Sequence, residues 1–162
     1  GKRRTFLISQ AISVVGYALF WLTFRPGQPL LMLAPLPLFS FGIGGLFTLM
    51  TSMTADVCDL DELNTGERRE GTFAAIYWWM VKFGLAFAGA LSGLILGLVG
   101  FVPDAPTQPA GAVTGLRLAY SLVPASGALL AMWIMWGYDI TETRANEIRA
   151  ALEERRGVVP VA

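Results

Sequence analysis

Histidine is absent from the 162-residue chain, and Cys58 is its one cysteine. No intrachain disulfide, Cys/His metal cluster or Ser–His catalytic pair is therefore possible within it. The chain also lacks a glycine-rich phosphate-binding loop. Lys+Arg and Asp+Glu number 12 each, so the formal net charge of zero gives no electrostatic reason to expect nucleic-acid binding. These absences argue against an enzyme and predict no catalytic residue, no cofactor and no metal site.

Charge of either sign is scarce, whereas apolar residues are abundant. Charged residues make up 15% of the chain and hydrophobic residues 54%, and the mean hydropathy is +0.56. The apolar residues form four long segments, at about 5–24, 30–55, 73–101 and 116–138. Each has the roughly 20 residues that a helix needs to cross the hydrocarbon core of a bilayer. The sequence therefore predicts an all-α integral membrane fold, with residues 1–139 forming a four-helix region whose partner is the lipid bilayer.

The pattern changes after Asp139, where residues 140–157 become rich in charge. A helix here would be amphipathic, with one apolar side formed by Ala145, Ile148, Ala151 and Leu152. Asp139 and Glu142 resemble an N-terminal capping pair. We expect a short cytoplasmic helix lying on the membrane or on the neighbouring loops. The alternative is a solvated tail that only sets topology.

The distribution of lysine and arginine predicts the orientation. Nine of these residues lie on one side of the predicted spans and two, Arg25 and Arg117, on the other. The nine are Lys2, Arg3, Arg4, Arg68, Arg69, Arg144, Arg149, Arg155 and Arg156. By the positive-inside rule, both termini and the segment between the second and third spans face the cytoplasm.

Lys82 lies about nine residues from the start of the third apolar segment. A charge at such a depth usually lines a pathway or pairs with a partner. Trp78 lies one helical turn before it, either as an interfacial aromatic residue or as a ligand contact. Gly89, Gly93 and Gly97 recur at every fourth position, which predicts a packing face for another helix.

Two other features of the apolar segments bear on packing and gating. Pro35, Pro37, Gly42, Gly44 and Gly45 predict a bent second span, either for packing or as a hinge. Between the second and third spans we expect a loop that contains six acidic residues with Arg68 and Arg69. Their spacing does not match an EF-hand. They form either a solvated loop or an ion-paired gate with Arg68, Arg69 or the arginines of the tail.

The central third of the chain resembles the glycoside-pentoside-hexuronide:cation symporters of the major facilitator superfamily. The resemblance rests on the A-D-x-x-D pattern at residues 55–59, on Glu62, on Arg68 with Glu70, and on Lys82 followed by Gly84 and Ala88. It implies a partial major facilitator superfamily fold, in which the four spans are the ninth to twelfth of twelve helices. It also implies cation-coupled uptake of a sugar across the plasma membrane, most simply a bacterial inner membrane.

The same resemblance implies roles for individual residues. Asp56, Asp59, Arg68 and Glu70 would belong to a cytoplasmic gate. Lys82 and Phe47 would lie near the central cavity, together with Tyr77 and Trp78, which replace polar residues of the melibiose transporter. The coupling cation, Na⁺ or H⁺, would be bound mainly by an amino-terminal half that this chain lacks.

The start of the chain at Gly1, without an initiator methionine, predicts a carboxy-terminal fragment of a longer transporter whose missing helices are partners of this one. Two alternatives stay open at this point. One is a cation-coupled symporter of lysolipids, in which Lys82 would meet an anionic headgroup. The other is a small membrane scaffold that assembles subunits through Gly89, Gly93 and Gly97.

Overall fold

The computed structural model describes residues 1–157 and contains five α-helices in that range. Helix α1 spans Lys2–Thr23, α2 Leu36–Thr65, α3 Glu70–Leu98, α4 Ala110–Met135 and α5 Glu142–Arg155. A short 3-10 helix, Pro29–Leu33, precedes α2. Helices α1 to α4 are long and apolar enough to cross a membrane. This confirms the all-α membrane fold and its four spanning helices, since no strand occurs in residues 1–157.

Helix α1 lies between α2 and α4 and packs against both. Its buried residues recur every three or four positions, as one face of a helix requires, and are Phe6, Ser9, Gln10, Ser13, Gly16 and Phe20. Four of the six are serine, glycine or glutamine, and the small serine and glycine residues let two helix backbones approach closely. The middle of the four-helix region is therefore organised around α1.

The contact between α1 and α2 depends on glycine. A Cβ atom at Gly42 would lie 1.6 Å from Ser13 Oγ and 2.8 Å from the Ser9 carbonyl oxygen, and one at Gly45 would lie 2.9 Å from Ser9 Cβ. Gln10 Nε2 donates a hydrogen bond to the Gly42 carbonyl oxygen at 3.0 Å. Gly42 and Gly45 thus serve close packing of the two helices. Cys58 is also buried on α2.

Helix α2 extends well past the expected span limit near residue 55, and ends at Thr65. Gly66 terminates it in the left-handed conformation, with φ 77°, and its N–H donates to the Glu62 carbonyl oxygen at 2.8 Å. The prediction of an acidic loop was therefore wrong for Asp56, Asp59, Asp61 and Glu62, which lie on the last turns of α2. Only residues 66–69 separate α2 from α3.

Helix α3 is the least embedded of the four spanning helices, since it has no buried residue. Phe73 and Tyr77 face α2 and α4 near its beginning, and Val99, just past its end, contacts Gly115 of α4. Much of its surface consists of exposed apolar side chains, including Trp79, Phe83 and Phe87. One long face of α3 is therefore left uncovered by residues 1–157.

Helix α5 packs on α2 through Ala145, Ile148 and Leu152, which are buried. Its N-cap is Thr141, whose hydroxyl accepts a hydrogen bond from the Arg144 N–H at 3.2 Å, so the expectation that Asp139 caps the helix was wrong. The start of α1, the 66–69 loop and α5 meet at one end of the molecule. We refer to residues 2–4, 66–69 and 142–156 as the basic end. At the opposite end, Arg117 of α4 donates to the Trp21 carbonyl oxygen.

Candidate functional site

Asp56 of α2 lies beside the basic end and is the most deeply buried charged residue in residues 1–157, with its side chain 1% exposed. Lys2 Nζ lies 2.6 Å from its Oδ2, and Arg149 Nη2 lies 2.8 Å from its Oδ1. The Tyr138 hydroxyl lies 3.5 Å from the same Oδ2. A buried carboxylate is tolerated when paired and hydrogen-bonded in this way. One side chain of α2 thus ties the start of α1 to α5.

Arg68 forms a second cluster at the basic end. Its Nη1 lies 2.9 Å from Glu62 Oε2 and 3.4 Å from Asp59 Oδ1, and its Nε donates to Glu70 Oε2 at 3.0 Å. Hydrogen bonds to Glu62 and to Glu70 raise the pKa of the Arg68 guanidinium above its ordinary value. It therefore stays charged over the whole physiological pH range. Arg156, just past the end of α5, also pairs with Glu62.

The structure brings together three of the four residues expected in the gate, namely Asp59, Arg68 and Glu70. Asp56 instead pairs with Lys2 and Arg149, and among the described residues Arg149 connects the two clusters, since it also lies 3.7 Å from Asp59 Oδ2. Lys2 was not predicted as a partner of Asp56. The two residues are 54 positions apart, and the sequence between them carries no local signal for the pair, which results from the antiparallel packing of α1 and α2.

Arg69 forms a separate pair with Asp61, where two nitrogens of the guanidinium meet two carboxylate oxygens. The side-chain hydrogen bonds to Asp61 raise the pKa of Arg69 as well. Bidentate geometry of this kind holds the arginine in one orientation. Because Asp61 lies on the last turns of α2 and Arg69 lies in the 66–69 loop, the pair ties that loop to α2 without involving α1 or α5.

The four residues expected near a central cavity do not form one site within residues 1–157. Lys82 and Trp78 lie on the uncovered face of α3, and Phe47 of α2 is likewise exposed. Lys82 takes part in no ion pair with the described residues. Tyr77 packs edge-on against Trp78, with ring centroids 5.4 Å apart.

A cavity of about 300 Å³ lies between α2, α3 and α4 near the basic end. Met50, Met53 and Tyr77 line it, together with Met135 and Tyr138. The Tyr77 hydroxyl is buried and has no hydrogen-bond partner in residues 1–157. No sequence pattern predicts this hollow, because its walls come from three different helices.

Gly89, Gly93 and Gly97 lie on α3, where a Cβ atom at any of them would meet nothing within 4 Å. They therefore do not pack against another helix in residues 1–157, and their role as a packing face stays a prediction.

Within residues 1–157, no group of three or more His, Cys, Asp or Glu side chains is arranged to hold a metal ion.

Comparison with known proteins accounts for the apolar helices and for the charged end together. The family model described as MFS/sugar transport protein matches residues 1–142. The chain belongs to this family. The family and the relatives below are membrane transporters and not enzymes, and together with the four candidate spans this supports a multi-pass membrane protein.

Three curated relatives illustrate the family. The glucuronide carrier protein homolog of Escherichia coli is 33% identical over 98% of this chain and 34% of its own length. The isoprimeverose transporter of Lactiplantibacillus pentosus is 28% identical over 96% of this chain and 32% of its own. The putative glycoside/cation symporter YagG of E. coli is 31% identical over 74% of this chain and 26% of its own. No solved structure matches the chain significantly.

The chain thus spans about a third of the length of the curated relatives that it matches over nearly all of its residues. All three relatives are named as carriers, transporters or symporters, which favours the transporter interpretation of this sequence over the membrane scaffold. Two of the names refer to a glucuronide or a glycoside.

Proposed function

We propose that the chain is the carboxy-terminal part of a cation-coupled sugar symporter that works by alternating access in a bacterial plasma membrane. Membership of the sugar transport family and the names of the relatives support this proposal. The basic end faces the cytoplasm, in agreement with the nine lysine and arginine residues on that side. The coupling cation, Na⁺ or H⁺, binds mainly to helices outside this chain.

The position of Lys82 is the observation that carries the proposal. It lies within an apolar helix, on a face that no described residue covers, and without an acidic partner. A lysine facing lipid near the bilayer centre is unfavourable by about 2.5–3.5 kcal/mol on insertion scales. A transporter resolves this conflict by placing that face of α3 against a polar cavity formed with the other half of the protein.

The substrate class that suits this face is a glycoside. Lys82 can donate hydrogen bonds to sugar hydroxyls or bind a carboxylate, either of a substrate such as a glucuronide or of the cation site. Trp78, one turn away on the same face, offers an aromatic surface on which the apolar face of a sugar ring can stack. Phe47 contributes a similar surface from α2.

The charged residues of the basic end would act as the cytoplasmic gate of this symporter. Arg68 and Arg149 are about half exposed although they are ion-paired. Each therefore retains donors that could reach acidic residues of the other half in one conformation and release them in the next. The pairing of Asp56, Asp59 and Glu70 with these arginines would hold the gate in shape during the motion.

Uptake by the full-length protein in proteoliposomes tests the proposal. We expect an imposed Na⁺ or proton gradient to drive accumulation of a methyl glucuronide or of an uncharged methyl glycoside. Lys82→Met should lower the rate at least tenfold, as expected for the loss of one charged hydrogen bond worth about 1.5–3 kcal/mol. Lys82→Arg, which retains the charge, should keep part of the activity.

The pattern across the two sugars identifies the partner of Lys82. A rise in KM for the glucuronide alone assigns Lys82 to the substrate carboxylate, whereas loss of gradient dependence for both sugars assigns it to the cation site. Arg25→Met, which removes a positive charge from the opposite loop, is the matched control and should leave uptake unchanged. Normal coupled uptake by Lys82→Met would exclude the lysine from transport, and absence of any gradient-driven sugar uptake would refute the function.

A further inference from the structure

Two adjoining hollows run along the outside of α1 and α4 at the basic end. The first has a volume of about 570 Å³ and is lined by Leu7 and Ile140 as well as by charged and polar residues, among them Arg3, Arg4, Thr141 and Glu142. The second has about 480 Å³ and is lined by Leu7, Ile8, Ala11, Met132, Trp133 and Trp136. Leu7 lines both, so the two hollows form one groove that is polar at the end of the helices and apolar along them. We call it the α1/α4 groove.

The polar half of the groove carries positive charge that is not neutralised by described residues. Lys2 pairs with Asp56, but Arg3 and Arg4 form no ion pair within residues 1–157. The acidic residue that lines this half is Glu142, whose side chain is mostly exposed and can turn toward water. The groove therefore complements an anion.

Arg3 is also oriented by an aromatic residue of the apolar half. Its guanidinium carbon lies 5.5 Å from the centre of the Trp136 ring, within the range of a cation–π contact. Such a contact uses the flat face of the guanidinium group and leaves the N–H groups on its edge available for a phosphate. Trp133 and Trp136 are largely exposed, as aromatic residues at a bilayer interface are.

We propose that the α1/α4 groove binds one anionic phospholipid, with its phosphate against Arg3 and Arg4 and an acyl chain in the apolar half. The charge selects an anionic headgroup over a zwitterionic one. The length of apolar surface on α1 and α4 selects a lipid over a soluble phosphate. This site is separate from the uncovered face of α3, so lipid selectivity and sugar uptake can be tested independently.

The test measures the lipid that stays bound to the full-length protein, by native mass spectrometry after exchange with phosphatidylglycerol and phosphatidylethanolamine. We expect preferential retention of phosphatidylglycerol. Arg3→Gln and Arg4→Gln should each reduce that preference about fivefold, the effect expected for one basic residue near an anionic membrane surface. Ala11→Trp, which fills the apolar half, should reduce retention of both lipids.

Arg144→Gln is the matched control, because Arg144 lies at the basic end, forms no ion pair within residues 1–157 and does not line the groove. An equal effect of Arg144→Gln would show general attraction to anionic membranes and overturn the proposal. So would displacement of the lipid by millimolar glycerol phosphate, which would identify a soluble anion site. If Arg3→Gln does not fold, Arg4→Gln, at a more exposed position, decides the test alone.

Discussion

The Asp56 carboxylate shows how a single buried charge depends on its partners. It is 1% exposed, whereas Lys2 and Arg149 are 29% and 48% exposed, so each cation can turn to water but the carboxylate cannot. Removal of a cation leaves a buried anion with less compensation, whereas removal of the anion leaves two cations that water can solvate. The effect of a substitution here should therefore depend strongly on which partner is removed.

For this residue pair we predict non-additive stability in a double-mutant cycle. Lys2→Met should lower the Tm of the full-length protein, and adding Asp56→Asn to that variant should restore part of the loss. A coupling free energy of about 1–3 kcal/mol is expected for contacting residues. Thermal unfolding in detergent measures it, and strictly additive changes would contradict the pairing. Arg69→Met, which removes from the 66–69 loop the half-exposed partner of Asp61, should change the Tm little.

The family resemblance implied the grouping of Asp59, Arg68 and Glu70, but nothing in the sequence predicted the pairing of Lys2 with Asp56. Asp59, Arg68 and Glu70 lie within 12 residues of one another across a single turn, so their proximity follows from almost any antiparallel arrangement of α2 and α3. The contact of Lys2 with Asp56 depends on the register of two helices joined by a long connection. In the sequence, Lys2 indicates only the topology of the chain in the membrane.

At the scale of helices, hydropathy locates membrane-spanning segments but not helix ends. The hydrophobic segment predicted for the second span stops near residue 55, yet helix α2 continues through ten polar and apolar residues to Thr65. Backbone hydrogen bonding continues as long as the residues favour it, and it stops where Gly66 adopts a left-handed conformation. The two kinds of boundary follow different physical rules.

The α1–α2 contact provides a prediction at this scale. Gly42→Ala would bring a Cβ atom within 1.6 Å of Ser13 Oγ, so the helices must separate or Ser13 must move. Overpacking of this kind destabilises by about 1–3 kcal/mol, and the Tm of the full-length protein should fall accordingly.

Gly44→Ala is the matched control, because it lies on the same helix and meets nothing within 4 Å. It should leave the Tm unchanged or raise it slightly, since alanine favours helix over glycine by about 1 kcal/mol. Equal losses in the two variants would show that Gly42 serves backbone flexibility and not close packing.

For the molecule as a whole, the uneven burial of its helices indicates which surfaces await other parts of the protein. Helix α1 buries six residues and α3 none. Composition alone could not reveal this difference, because both helices are mainly apolar. It follows from the small and polar side chains of α1, which allow neighbours on two sides, and from contacts that reach α3 only near its ends.

We therefore predict that the glycine face of α3 is covered in the full-length transporter. The space around Gly93 is open in residues 1–157. Gly93→Leu should therefore leave stability unchanged unless another helix packs there. In the full-length protein we expect a lower Tm and loss of gradient-driven uptake. Gly127→Leu, at an equally open position on α4, should be tolerated. Normal stability and uptake of Gly93→Leu would place this face in lipid.

The burial of Cys58 has a practical result for spectroscopy. Its thiol is buried on α2. Maleimide probes should therefore react slowly with it and rapidly with cysteines introduced at water-exposed positions of the basic end. Reporter dyes on α5 and on the 66–69 loop can then follow movements of the basic end in real time, with the native thiol of this segment left in place.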